Sequence, residues 1–207
     1  MANREHNMSQ ADELKEQGVK QYQDYEYEQA IRTFEDARAA YVEDGQEDMA
    51  AEMLANIGLV HRSLGEGQQA LESMGQALKV FQKTGDALRA AQVLGNMGGV
   101  YAKLGDTEQA YNTYRQAADL FEELGEKDKY GQTLLAMGRL QLDEGKFLAG
   151  AATYEVALEN VEQPTWQQRA IKNLGSTVNR MMGTNPGGTS DAPDEDAKPN
   201  DDGKPTS

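Results

Sequence analysis

Side chains suited to catalysis or metal binding are scarce in this chain. It has no cysteine and only two histidines, His6 and His61, and we interpret His61 as a packing residue with its polar edge near solvent. Zinc-protease, phosphate-loop and nucleophile-elbow motifs are absent from the sequence. The glycine-rich stretch from Gly95 to Gly99 falls inside a predicted helix, with no predicted strand before it, unlike a phosphate-binding loop. We therefore expect no catalytic residue, no metal ion and no cofactor.

Two asparagines, Asn56 and Asn96, are the polar residues whose placement invites a chemical explanation, because they lie 40 residues apart. A side-chain amide offers two donors and an acceptor, so it can pair with a peptide backbone of any sequence. Asparagine is a mediocre helix former, yet both residues fall in the middle of predicted helices. Either these amides bind a ligand, or they bond to the neighbouring helix. The sequence alone does not decide between the two.

The spacing of the asparagines is the period of most of the chain. Four segments align without a gap: 11–50, 51–90, 91–130 and 131–170. They share leucine at repeat position 4, glycine at position 8, small residues at positions 20 and 27, and a large residue at position 24. In order, these positions hold Leu14, Leu54, Leu94, Leu134; Gly18, Gly58, Gly98, Gly138; Ala30, Ala70, Ala110, Gly150; Ala37, Ala77, Ala117, Ala157; and Phe34, Met74, Tyr114, Tyr154. A fixed period of this length indicates stacked helical units, none of which can bury its apolar face alone.

Each repeat is predicted to form two antiparallel helices. In the third repeat, apolar residues recur at steps of three and four up to Leu104, and Gly105 then ends the first helix. Asp106, with Gln109 three residues later, is typical of the start of the next helix. A closing helix at 166–182 brings the predicted total to nine, in an all-α chain. We predict a flexible N-terminus at 1–10, a repeat domain at 11–183 and a disordered acidic tail at 184–207, which lacks large apolar residues.

The repeated columns resemble the tetratricopeptide repeat (TPR), in its long, 40-residue form, and the resemblance covers 11–183. It implies a right-handed superhelical solenoid of four helix pairs plus the closing helix. It also implies that the first helix of each pair lines a concave groove. The long form resembles repeats found in peptide-binding scaffold and signalling proteins.

Carried over to this sequence, the resemblance predicts a peptide-binding groove on the first helices. Its residues are Asn56, Asn96, Ala55, Leu59, Arg62, Gly95, Gly99, Lys103, Leu135 and Arg139. The three basic residues among them favour a ligand with acidic residues, or with a free carboxylate, by charge complementarity. Gly95 and Gly99 either leave bare backbone that a ligand can approach, or permit tight packing of the fold.

The charge of the chain limits the classes of partner. With 35 acidic and 20 basic residues the net charge is −15, which repels nucleic acid and anionic membranes. No stretch approaches the roughly 20 apolar residues of a membrane-spanning helix. The polar first residues do not resemble a secretory signal, so we expect a cytoplasmic protein.

The sequence predicts a non-enzymatic adaptor that binds a peptide segment of a partner protein in the concave groove. The alternative is a self-assembling scaffold in which the ends of the solenoid stack head to tail. That alternative is based on charge asymmetry, since residues 1–50 carry 13 acidic and 5 basic residues, whereas Lys172 and Arg180 are the only charged residues of 171–183.

Overall fold

A computed structural model of the protein describes residues 9–162 and 165. These residues form eight helices and no strand, which confirms the predicted all-α solenoid of helix pairs. The helices are α1 (Gln10–Gln23), α2 (Tyr27–Glu43), α3 (Glu47–Leu64), α4 (Gly67–Thr84), α5 (Ala87–Leu104), α6 (Thr107–Glu123), α7 (Lys127–Asp143) and α8 (Phe147–Asn160). The predicted closing helix, the acidic tail and most of the N-terminus at 1–10 lie outside the described residues.

The helices stack in chain order. Each packs against the next, both within a repeat and between repeats. In addition, α3 contacts α5 and α5 contacts α7. Because these odd-numbered helices approach one another directly, they form the inner side of the stack, which is where the resemblance to the tetratricopeptide repeat places them.

The repeated glycines at position 8 owe their presence to a close contact inside each helix pair. A β-carbon placed on any of these glycines would come within 2.6–2.7 Å of the large side chain at position 24 of the same repeat. Any residue larger than glycine would therefore push the two helices apart. The four pairs are Gly18 with Phe34, Gly58 with Met74, Gly98 with Tyr114, and Gly138 with Tyr154.

Left-handed backbone ends many of the helices. Gly65, Gly85 and Gly105 are C-caps with φ between 76° and 82°, a conformation that glycine adopts without steric cost. Asp106 caps the next helix by accepting a hydrogen bond from the backbone N–H of Gln109 at 3.1 Å, as predicted. In the first repeat the equivalent turn has Tyr25 at φ 64°, although this conformation is unfavourable for a residue with a side chain.

Among residues 9–162, no helix is both long and apolar enough to cross a membrane.

Candidate binding groove

Three adjoining hollows run along the inner side of the stack. The first hollow, about 290 Å³, lies between α3 and α5. The second hollow, about 410 Å³, and the third, about 560 Å³, lie between α5 and α7 and share Gly99 and Tyr114. Every residue predicted for the groove borders at least one hollow. The first has Ala55, Asn56, Leu59 and Asn96; the second Arg62, Gly95, Asn96 and Gly99; the third Gly99, Lys103, Leu135 and Arg139.

The two asparagines differ in their surroundings. The Asn96 side-chain oxygen accepts a hydrogen bond at 2.9 Å from the Arg62 guanidinium, so this amide bonds to the neighbouring helix α3. Asn56 is partly exposed, and its amide makes no hydrogen bond to any residue between 9 and 162. The Asn56 amide therefore keeps its full hydrogen-bonding capacity, whereas the Asn96 oxygen is engaged by Arg62.

The glycines of α5 fall into two kinds. Gly98 is required by packing, because a β-carbon there would lie 2.7 Å from the Tyr114 ring. The nearest atom to a β-carbon on Gly95 would be 3.9 Å away, and the nearest to one on Gly99 would be 3.4 Å away. Of the two explanations that the sequence allowed, tight packing therefore fails for Gly95 and Gly99. Their missing side chains instead widen the floor of the groove.

Basic residues near the first hollow are neutralised by acidic neighbours. Lys15 of α1 pairs with Glu52 of α3 at 2.7 Å, and Arg89 of α5 reaches the same carboxylate at 3.4 Å. Arg89 also pairs with Asp86 at 2.6 Å and lies 3.8 Å from Asp48. This network joins three successive inner helices and leaves little unpaired positive charge. We call this part the N-terminal half of the groove.

Three of the four basic residues around the second and third hollows are different, whereas the fourth, Lys129, pairs with Glu126. Arg62 donates to the neutral Asn96 amide, and Arg62, Lys103 and Arg139 form no ion pair with any carboxylate in the described part of the chain. Asp143 borders the third hollow without pairing with them there. We call this part the C-terminal half of the groove. Its unpaired positive charge is available to an acidic ligand.

Two tyrosines of the groove were missed by sequence reasoning, which treated position 24 as packing only. Tyr114 borders the second and third hollows and Tyr154 borders the third, although both belong to second helices. Burial raises the pKa of each phenol. The positive charge of Arg62 offsets part of the rise for Tyr114, and that of Arg139 offsets part of the rise for Tyr154. The available signal was the hydroxyl itself, since position 24 is Phe34 and Met74 in the first two repeats.

His61 lies outside the groove lining. Its Nδ1 is 2.6 Å from a carboxylate oxygen of Glu66, at the turn between α3 and α4. Within the described ranges, no cluster of histidine, cysteine or acidic residues could hold a metal ion.

Comparison with known families gives one match over most of the chain. The model of the family described as "Soluble NSF attachment protein, SNAP" matches residues 1–174. A search of curated proteins found no match.

Several solved structures have a similar fold at low sequence identity. BtubC (BKLC) from P. vanneervenii superposes with a TM-score of 0.60 at 18% identity, over 94% of this chain and 71% of that one. A TPR protein from Parabacteroides merdae gives 0.59 at 22% identity, over 84% of this chain and 60% of that one. The Rap conjugation gene regulator of the plasmid pLS20, solved with the Phr* peptide, gives 0.63 at 16% identity, over 89% of this chain and 54% of that one. The chain thus spans little more than half the length of the last two proteins.

Proposed function

The chain belongs to the soluble NSF attachment protein (SNAP) family of TPR-like helical-repeat proteins, and on this premise we propose that it is a non-enzymatic adaptor. It binds a segment of a partner protein along the inner groove, in the cytoplasm. The observation that carries the proposal is the C-terminal half of the groove, where Gly95 and Gly99 leave an open floor beside three unpaired basic residues.

The comparisons support this kind of function. The matching family takes its name from attachment to NSF, and the similar Rap regulator was solved in complex with the Phr* peptide. A stack of this type can therefore hold a peptide. The partner of the present chain is proposed by its chemistry only, as a segment with acidic residues.

The groove residues have distinct roles in this proposal. Asn56, with its free amide, bonds to the backbone of the bound segment, since an amide can pair with any peptide group. Ala55, Leu59 and Leu135 provide apolar surface for its side chains. Arg62, Lys103 and Arg139 pair with its acidic residues, and Asn96 holds the Arg62 guanidinium in place.

Capture of partners from native lysate, with identification by mass spectrometry, tests the proposal. The wild-type chain is compared with a groove variant carrying Asn56→Ala, Asn96→Ala and Arg139→Ala. A matched variant carries Glu72→Ala, Gln76→Ala and Gln116→Ala, three exposed positions on second helices. Circular dichroism first establishes that both variants fold. Partners lost with the groove variant and kept with the matched variant are expected, and partners kept by both would reject the groove as the binding site.

Self-assembly is the second candidate function. In the last described repeat, Phe147 is 69% exposed and Leu148 is 52% exposed, so this end offers apolar surface for a contact. The acidic first repeat and the basic 171–183 segment favour head-to-tail stacking by charge. Sedimentation at rising concentration, with and without salt, tests it. A mass that grows with concentration and falls with salt is expected, and a monomer at high concentration and low salt would reject self-assembly.

A further inference from the structure

The side chain of Tyr114 crosses from a second helix to the inner groove. Its ring lies against Gly98, where a β-carbon would be 2.7 Å from Cδ1. Its hydroxyl lies 3.4 Å from the position of a β-carbon on Gly99, and the residue borders both hollows of the C-terminal half. Tyr114 is only 9% exposed, so nearly all of the side chain is buried while its polar end faces the groove.

The Tyr114 hydroxyl has no hydrogen-bond partner anywhere in residues 9–162. The oxygen is not one of the fully buried, unpaired side-chain atoms of the described residues, so it is accessible from the groove. Burial raises the pKa of this phenol, so at neutral pH the group keeps its proton and can donate a hydrogen bond. An oxygen acceptor is therefore the group that would complete it.

Charge around the hydroxyl selects the kind of oxygen. Arg62 lies near enough for its charge to act on the phenol, and it is held by Asn96 and not by a carboxylate. Lys103 and Arg139 border the third hollow and are likewise unpaired among the described helices. The acids that border the two hollows are Asp128 at the second and Asp143 at the third, and neither forms an ion pair with Arg62, Lys103 or Arg139. A negatively charged oxygen fits this setting better than a neutral carbonyl.

The third hollow adds room for an apolar group. Ala102, Leu135, Ala136 and Leu140 border it, directly beside the Tyr114 hydroxyl and the basic side chains. Its volume of about 560 Å³ lies within the range of sites that hold small organic groups, roughly 300–1,000 Å³. An apolar side chain in this hollow would leave a neighbouring carboxylate at the hydroxyl.

We propose that Tyr114 is a ligand-binding residue, which together with Arg62 binds a carboxylate that adjoins a bulky apolar side chain of the bound segment. This inference rests on the proposed function, and it names the chemistry that the groove selects. The carboxylate is either that of an acidic side chain or that of a chain terminus, and the hydrogen bond to the phenol is the same in both cases.

The repeat pattern supports a special role for this position. Position 24 carries no hydroxyl in the first two repeats, where it is Phe34 and Met74. It carries one in the third and fourth repeats, beside the basic residues that lack acidic partners. All four residues fill the same space over a glycine, so packing alone does not require the hydroxyl.

Three capped dipeptides serve as probes of the subsite. Acetyl-Glu-Phe-amide has a side-chain carboxylate beside an aromatic ring, acetyl-Gln-Phe with a free carboxyl end has a terminal one, and acetyl-Gln-Phe-amide has none. Each is titrated into the full chain, and the dissociation constant is measured from NMR shifts of the Gly99 and Ala102 backbone amides. The test variant is Tyr114→Phe, which keeps the ring over Gly98. The matched control is Tyr111→Phe, which removes a hydroxyl from the same helix at a position that borders none of the three hollows.

At least one of the two carboxylate peptides is expected to bind at least about ten-fold more tightly than the uncharged peptide. The tighter of the two shows whether the bound carboxylate is that of a side chain or that of a chain terminus. Tyr114→Phe is expected to lower the affinity for that peptide by about ten-fold, because a hydrogen bond to a charged group is lost. Tyr111→Phe is expected to leave the affinity unchanged. Equal binding of all three peptides, no binding at all, or an unchanged affinity in Tyr114→Phe would overturn the inference.

The lysate experiment separates this inference from the proposed function. If groove-dependent partners are captured but the dipeptides fail, the adaptor stands and the subsite is wrong. If the dipeptides bind through Tyr114 but no partner depends on the groove, the subsite stands and the adaptor function is wrong.

Discussion

The two halves of the inner groove are built from the same repeat and differ in how their charges are used. In the N-terminal half, Lys15 and Arg89 share Glu52, so the positive charges serve to tie α1, α3 and α5 together. In the C-terminal half, Lys103 and Arg139 have no acidic partner within the described helices, and Gly99 leaves the floor open. The contrast shows that the same repeat can use its basic residues in ion pairs between helices at one end of the stack and leave them unpaired at the other.

The largest expected effect concerns the glycine that holds the C-terminal half together. Gly98→Ala is expected to destabilise the fold by about 1–3 kcal/mol, because the added β-carbon would lie 2.7 Å from the Tyr114 ring. Gly99→Ala, one residue along the same helix, is expected to cost less than about 1 kcal/mol, since a β-carbon there would lie at an ordinary contact distance of 3.4 Å from its nearest neighbour. Urea unfolding followed by circular dichroism measures both. Similar losses in the two variants would contradict the view that only Gly98 is required by packing.

Removing one basic residue from each half tests the contrast in charge directly. Arg89→Ala is expected to destabilise the fold by about 1–2 kcal/mol, since it leaves Asp48, Glu52 and Asp86 without their shared partner and removes a contact with the Phe81 ring. Lys103→Ala is expected to change stability by less than about 0.5 kcal/mol. Thermal unfolding at low and high salt measures both, and the Arg89 effect should shrink with salt. Equal effects would mean that the halves do not differ in this respect.

Filling the open floor should separate stability from binding. Gly95→Ala is expected to raise stability by about 0.5–1 kcal/mol, because alanine is the better helix former and the site has room for a methyl group. The same change is expected to weaken capture of a groove-bound partner. Gly75→Ala is the matched control, since nothing lies within 4 Å of a β-carbon there and the residue borders none of the hollows. If both variants gain stability and both keep the partner, the floor does not contact the ligand.

Acid should weaken the ion pairs of the N-terminal half. This is the smallest of the expected effects. Burial raises the pKa of Asp86, whereas the hydrogen bonds from the backbone N–H and the guanidinium of Arg89 lower it. The lowering is the larger effect, so the pKa of Asp86 lies below its usual value. A carboxylate with a depressed folded pKa stabilises the fold above its unfolded pKa and loses that contribution as the pH falls through the folded value.

As the pH falls from about 5 to about 2, the Asp86→Asn variant should therefore lose less unfolding free energy than the wild type does. Asparagine still caps α5, so the helix start is kept. Asp143→Asn, at a residue without an ion pair in the described part of the fold, is the matched control. Unfolding measured across this pH range decides, and identical curves for the wild type and Asp86→Asn would contradict the proposed link.

The fold was predictable because the interactions that set it are local and repeated. A glycine at position 8 meets a large residue at position 24 of the same repeat, so a period in the sequence becomes a period of helix contacts. The placement of Asn56, Asn96 and Arg139 on the first helices' inner face came from the resemblance to the tetratricopeptide repeat. What these residues do there stays a prediction.

Pairing between repeats was beyond the sequence. Arg62 and Asn96 each occupied a predicted groove position, but their hydrogen bond depends on how α3 and α5 approach one another. The Tyr114 hydroxyl was missed for a related reason. A large residue over a glycine satisfies packing whether or not it carries an oxygen, so the packing pattern alone does not reveal the hydroxyl.

The stacking in chain order has a consequence for how this protein forms. Helix contacts among the described residues join elements that are neighbours in the sequence, or next but one on the inner side. No distant part of the chain must be brought in before a repeat can bury its apolar face. Chains of this kind have low contact order and fold quickly, and structure can begin at any adjacent pair of repeats and spread to both sides. The stack is therefore expected to lose its outermost repeats separately, while the interior remains folded.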